Sequence, residues 1–182
     1  MKAVNQNSVK ITSLKPMAEN GDSTAQYKLA MHYGTRKNPD YRKALQWLRR
    51  ASLQGHAVAE YNLGFMYEFG LGTQKNYKKA ADSYLRSGSR GYPNALNNLA
   101  ILHASGLGVQ QDREKAISYW RQAAGMGLGE ASYNLAMLHM DENGAIDDRE
   151  AFFGWIHRAA NQGCEKAMDW LEDNTPFLMA IN

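Results

Sequence analysis

His103 and His139 stand 36 residues apart, and paired imidazoles are a common beginning of a transition-metal site. Two ligands of one zinc ion must each bring a nitrogen to about 2.1 Å from it, whereas neighbouring helices pack with axes about 8–10 Å apart. Tyr67 lies a further 36 residues upstream, and Tyr33 holds the equivalent place before it, so the two histidines read as helix-packing residues. The acidic run "DENGAIDDRE" at 141–150 invites a calcium loop. The EF-hand needs glycine at its sixth position, and Gly144 is fourth, so the run reads as a solvated loop. The glycine pairs Gly70/Gly72 and Gly106/Gly108 could cradle phosphate, but neither is followed by the third glycine of a dinucleotide fingerprint or by Gly-Lys-Ser/Thr. Cys164 is a potential thiolate nucleophile, with no histidine base beside it in sequence. As the single cysteine it allows neither an intramolecular disulfide nor a cysteine-based metal site. No HExxH zinc motif and no GxSxG nucleophile elbow occurs. The expectation is no catalytic residue, no metal and no cofactor, in a protein that is not an enzyme.

The spacing that links the histidines extends over most of the chain. "FMYEFGLGTQKNYKKA" (65–80) returns as "ILHASGLGVQQDREKA" (101–116), offset by 36. Ala59, Ala95, Ala131 and Ala167 keep that offset, as do Leu63, Leu99, Leu135 and Leu171, and Gly55, Gly91, Gly127 and Gly163. Gly21 and Ala25 begin the pattern earlier, in a first unit two residues shorter. Within a unit, Ala59, Leu63, Gly64 and Tyr67 recur at steps that place them on one helical stripe. The Gly-Leu-Gly break follows. Asp40, Asn76, Asp112 and Asp148 then offer a side-chain oxygen at the start of a second helix. That helix turns Ala44/Leu48/Ala51, Ala80/Tyr84/Ser87, Ala116/Trp120/Ala123 and Phe152/Ile156/Ala159 inward, and ends at the recurring glycine. Small residues at Ala30, Gly64, Ala100 and Ala136 let the helices approach closely.

One such hairpin cannot bury its own apolar face, but stacked hairpins can. The fold class expected is therefore all-α: a right-handed α-solenoid of stacked helix-turn-helix repeats. It is read as a single domain over 1–182, with an N-terminal partial helix at 8–20 and repeats near 22–55, 56–91, 92–127 and 128–163. A C-terminal capping helix and tail occupy 164–182. Pro176 should end that last helix, leaving the apolar tail "NTPFLMAIN" either to cap the open edge or to dock on another molecule.

At these residues the chain resembles the Sel-one-like repeat (SLR) family, a relative of the tetratricopeptide repeat. The segment "LAILHASGLGVQQDREKAISYWRQAAGMG" ending at Gly127 follows the family pattern throughout, and the resemblance covers about 14–173. Unit one, "YGTRKNPDYRKA", lacks the Gly-x-Gly, and unit four keeps one of the two glycines. Some secreted members carry paired cysteines and act on penicillin-type compounds; this chain has no such pairs.

The resemblance implies that the first helix of each unit lines a concave face where peptides or partner surfaces lie. The candidate site residues by position are Tyr27 and Met31; Tyr61, Asn62, Phe65, Glu68 and Phe69; Asn97, Asn98 and Ile101; and Tyr133, Asn134, Met137 and Met140. Asn62, Asn98 and Asn134 make a ladder whose amides could grip a peptide backbone. Of the large apolar members Tyr61, Phe65, Phe69, Tyr133, Met137 and Met140, at least three are expected to face solvent.

Bulk properties bound the partner. Hydrophobic content is 44% and charged content 21%, ordinary for a globular chain, and no apolar run is long enough to span a membrane. No apolar secretory segment stands at the start, which with the lone cysteine suggests a cytoplasmic setting. The net charge of +3 gives no ground for nucleic acid. Residues 1–91 hold 15 Lys/Arg against 6 Asp/Glu, and residues 92–182 hold 6 against 12. Such opposite ends suit a partner of matching polarity, or head-to-tail self-association. The function expected is an adaptor or scaffold for a protein or peptide partner. The alternatives are a cytoplasmic immunity protein that neutralises a bacterial toxin, and an enzyme acting on cell-wall or β-lactam compounds.

Overall fold

The computed structural model describes residues 6–141 and 143–179. Among them run ten α-helices: α1 (Gln6–Glu19), α2 (Ser23–Thr35), α3 (Tyr41–Leu53), α4 (Ala57–Phe69), α5 (Tyr77–Ser89), α6 (Pro93–Ser105), α7 (Arg113–Gly125), α8 (Gly129–Met137), α9 (Arg149–Asn161) and α10 (Glu165–Met179). The fold class is all-α, built from helical hairpins. The chain falls into two compact units: residues 1–95 with 106–110, and residues 96–105 with 111–182.

The helix boundaries follow from local chemistry. Asp40, Asn76, Asp112 and Asp148 each accept a backbone N–H three residues on, at 2.9–3.0 Å, and so open α3, α5, α7 and α9. The turns after the second helices repeat one bonding pattern. His56 N–H reaches Ala51 O while Gly55 N–H reaches Ser52 O, with Gly55 at φ +75°. The same pair of bonds recurs around Gly91, Gly127 and Gly163, a left-handed closure that glycine adopts without strain. Every inward residue named for the second helices is buried, from Ala44 to Ala159.

Two capping carboxylates are held below their ordinary value, first because the backbone N–H of Lys43 bonds Asp40 and that of Lys115 bonds Asp112. A carboxylate whose folded pKa is lowered adds stability above its unfolded value and loses it as pH falls through the folded one. Asn76 does the same work without titrating. The stability gap between wild type and Asp112→Asn, measured by urea unfolding from neutral pH to pH ~3, should therefore change only below about pH 4, as wild type loses its charge-assisted cap.

In the unit of residues 1–95, Tyr84 is fully buried against Gly64 and donates its hydroxyl to Glu68 at 2.6 Å. A Cβ on Gly64 would lie 2.7 Å from the Tyr84 ring, so this helix pair needs glycine there. The other unit packs Trp120 at the equivalent place, beside Ala100. Its indole Nε1 is buried with no hydrogen-bond partner among the described residues. Cys164 is buried in a cluster with Ala136, Phe152 and Ile156.

One expectation needs correction. Pro176 does not end the last helix, because α10 continues to Met179. Proline's fixed φ is itself helical, so a single proline can lie within a helix at the loss of one backbone hydrogen bond. Pro16 lies inside α1 in the same way. In the fourth repeat the first helix is 9 residues long where its counterparts have 13. Tight bonds from Leu138, His139 and Met140 to carbonyls three residues back end it early, and Met140 pairs with Ile146 as an isolated antiparallel bridge. The tail residues 180–182 lie outside the described residues.

Candidate functional site

The first helices of the repeats position the predicted residues, and stacking decides which stay open. In the unit of residues 1–95, Tyr27 stacks on His56 with ring centroids 4.9 Å apart, and Tyr61 packs against Tyr92 at 5.0 Å and Tyr84 at 5.7 Å. His56 and Tyr92 hold equivalent positions one repeat apart, just before α4 and α6. His56 also caps α4, its Nδ1 accepting from Ala59 N–H at 3.2 Å. Tyr27 and Tyr61 are thus half-buried between repeats. Burial holds the Tyr27 phenol above its ordinary pKa, with a smaller contribution from Tyr92.

Phe65 and Phe69 differ. They are 38% and 53% exposed, with ring centroids 4.5 Å apart on one side of α4. Beside them opens a cavity of ≈ 200 Å³ between α2 and α4, lined by Met31, Thr35, Tyr41, Asn62, Phe65 and Met66 among others. Two of its donors are already engaged. Asn62 Nδ2 donates to Val58 O at 2.7 Å, and Thr35 Oγ1 to Met31 O at 2.9 Å, both within their own helices.

In the other unit Ile101, equivalent to Phe65, is 40% exposed. Asn134 donates to Asn97 at 2.9 Å, joining two repeats through a residue one place before Asn98. Asn98 is partly exposed. Tyr133, Met137 and Met140 are half-buried around the Phe152 cluster, with Lys166 over the Tyr133 ring at 5.9 Å. Of the six large apolar residues, two are therefore exposed, and four are half-buried by stacking.

The candidate metal positions stay apart in role. His103 is buried beside Tyr119, and His139 lies 3.7 Å from Asp147. Asp141 turns its carboxylate onto the N–H groups of Asn143 and Ala145. Among the described residues no group of three or more His, Cys, Asp or Glu could hold a metal, and no helix is long and apolar enough to cross a membrane.

One set of residues was legible in the repeats but passed over. The fourth position of the first helices carries Gln26, Glu60, Leu96 and Ser132; the residue closing the second helices carries Gln54, Arg90, Met126 and Gln162. Gln54 Nε2 donates to Gln26 at 2.8 Å, Arg90 Nη1 to Glu60 at 3.1 Å, and Ser132 Oγ to Gln162 at 2.6 Å. Buried polar groups thus meet polar partners within their own repeat, and the one apolar residue, Leu96, shares its repeat with Met126. The signal lay in reading the two columns together.

These hairpins define a helical-repeat scaffold. The family model of the Sel1 repeat matches residues 23–56, 57–92, 93–128 and 129–164, and the chain belongs to that family. Sel1 repeat proteins generally mediate protein–protein interaction. A protective antigen of uropathogenic Escherichia coli with an SLR fold is similar at 30% identity and TM-score 0.80, over 94% of this chain and 36% of its own, so this chain spans about a third of that protein. A Sel1 repeat protein from Oxalobacter formigenes is similar at 26% identity and TM-score 0.80, over 90% of this chain and 68% of its own. An immunity protein from Pseudomonas aeruginosa shares the fold at 16% identity and TM-score 0.53, over 90% and 76%. No curated protein matches the chain.

Proposed function

We propose that this chain is a non-catalytic adaptor or scaffold that holds a segment of a partner protein on the first-helix face of the unit of residues 1–95. The observation that carries the reading is the Phe65–Phe69 pair, exposed beside an open apolar cavity. Exposed aromatic surface next to a slot marks an interface more often than a solvated face does. Catalysis is not supported by that cavity, since Asn62 and Thr35 spend donors on their own helices. Ile101, Tyr133 and Asn134 are proposed as further contacts of the other unit. A cytoplasmic setting fits the single, buried cysteine. The likeness to an immunity protein is one of fold alone, so it does not choose that role.

The test is capture of partners by tagged wild type and by Phe65→Ala/Phe69→Ala. Phe69 is half exposed and Phe65 partly so while lining the cavity, so the variant should fold, with a modestly lower thermal midpoint. Loss of an aromatic hot spot lowers affinity by about 30-fold. Equal capture by both proteins would remove the site from this face. Tyr61→Ala is a poor probe, because it would also loosen Tyr84 and Tyr92.

A further inference from the structure

We infer that the partner segment carries a bulky apolar anchor with carboxylates close beside it. This rests on the interaction reading above and adds the chemistry of the partner. The cavity of Met31, Asn62 and Phe65 is walled at one end by Tyr41, itself 37% exposed. Tyr41 also lines a second depression, with Arg36, Asp40, Arg42 and Gly72. An apolar slot and a charged edge therefore share one side chain.

The edge is cationic. Its one carboxylate, Asp40, caps Lys43 N–H and lies 3.1 Å from Lys43 Nζ and 3.8 Å from Arg36 Nη2. Arg42 forms no ion pair among the described residues and is exposed. Its place is unfavourable for stability. It sits in the first turn of α3, where the helix dipole is already positive, and neither α3 nor α5 has an acidic residue in that turn. The same repeat position is Lys78 in α5, but Glu114 in α7 and Glu150 in α9. Glutamate thus fits the fold there and suits the dipole. A cation at 42 is therefore not required by the fold, and beside an apolar slot its complement is a carboxylate. A polyanion such as RNA would use the charge and ignore the cavity, so the shared Tyr41 wall favours a peptide.

A random peptide library displayed against wild type, Arg42→Glu and Phe65→Ala tests this. Wild type should enrich peptides in which an aromatic or aliphatic residue is flanked by Asp or Glu. Arg42→Glu should lose the acidic preference, keep the apolar one, and bind the selected peptide at least about tenfold more weakly at low salt. Its thermal midpoint should equal or exceed wild type, which separates lost binding from lost folding. Enrichment of apolar peptides without acidic bias would overturn the inference and leave the adaptor reading standing. Acidic peptides that bind Phe65→Ala as well as wild type, or no enrichment at all, would overturn both. Tight, Arg42-dependent binding of a mixed-sequence RNA oligonucleotide would also overturn it, by assigning the edge to polyanions.

Discussion

Replacing Arg86 and Arg90 together with methionine should lower the unfolding free energy by about 3–5 kcal/mol, the loss seen when a buried ion pair is left with one charge. Glu60 is 1% exposed, and its two oxygens lie 3.5 Å from Arg86 Nε and 3.1 Å from Arg90 Nη1. The arginines are themselves nearly half exposed, so removing Glu60 instead would return them to water at little loss. The asymmetry is the point: methionine keeps the aliphatic cover over the carboxylate and withdraws only the charge. The third repeat supplies the control. Glu60→Leu with Arg90→Met copies its Leu96 and Met126, and should hold wild-type stability or exceed it, since apolar groups of similar volume often replace a buried pair without loss. Urea unfolding of the two double variants decides it. If both lose the same amount, the stability resides in packing at that position and not in the pairing of charges.

The second large effect is expected at the second glycine of the Gly-Leu-Gly loops. Gly72 and Gly108 have φ of +68° and +72°. A Cβ on Gly72 would lie 2.5 Å from Tyr41 C and O, and one on Gly108 would meet Tyr77 C and Lys78 N closer still. These are backbone atoms at the start of the preceding repeat's second helix, and they cannot swing aside as a side chain can. The left-handed conformation costs a non-glycine residue about 1–2 kcal/mol, and overpacking adds about 1–3. Gly108→Ala should therefore lower stability by about 2–5 kcal/mol. Gly127→Ala isolates the first contribution, because Gly127 has φ +91° with nothing within 4 Å of its Cβ position. Equal thermal destabilisation of the two variants would defeat the close-approach account. The same contact explains why residues 106–110 group with residues 1–95: the loop lies on the start of α5.

The candidate site was legible only in part. Its helix, its face and its apolar members follow from repeat position, and Met31, Asn62 and Phe65 do line one cavity. The asparagine ladder was inferred from spacing alone. Asn62 turns back on its own helix and Asn134 reaches Asn97, because an amide takes whichever carbonyl or amide its rotamer meets first.

The chain by itself determined the helix caps and closing turns, whose cause lies within about one turn of the residue concerned. Asp40, Asn76, Asp112 and Asp148 open helices because a side-chain oxygen three residues ahead of an orphan N–H needs no other partner. The closing glycines and the buried faces of the second helices are local in the same sense, and the repeat displays them four times over. Tertiary structure alone decided which atoms meet across 28 or 30 residues: Gln26 with Gln54, Glu60 with Arg90, Ser132 with Gln162. It also decided that stacking would cover Tyr61 and leave Phe65 and Phe69 in solvent, since the exposure of a side chain is set by neighbours that the chain delivers from elsewhere.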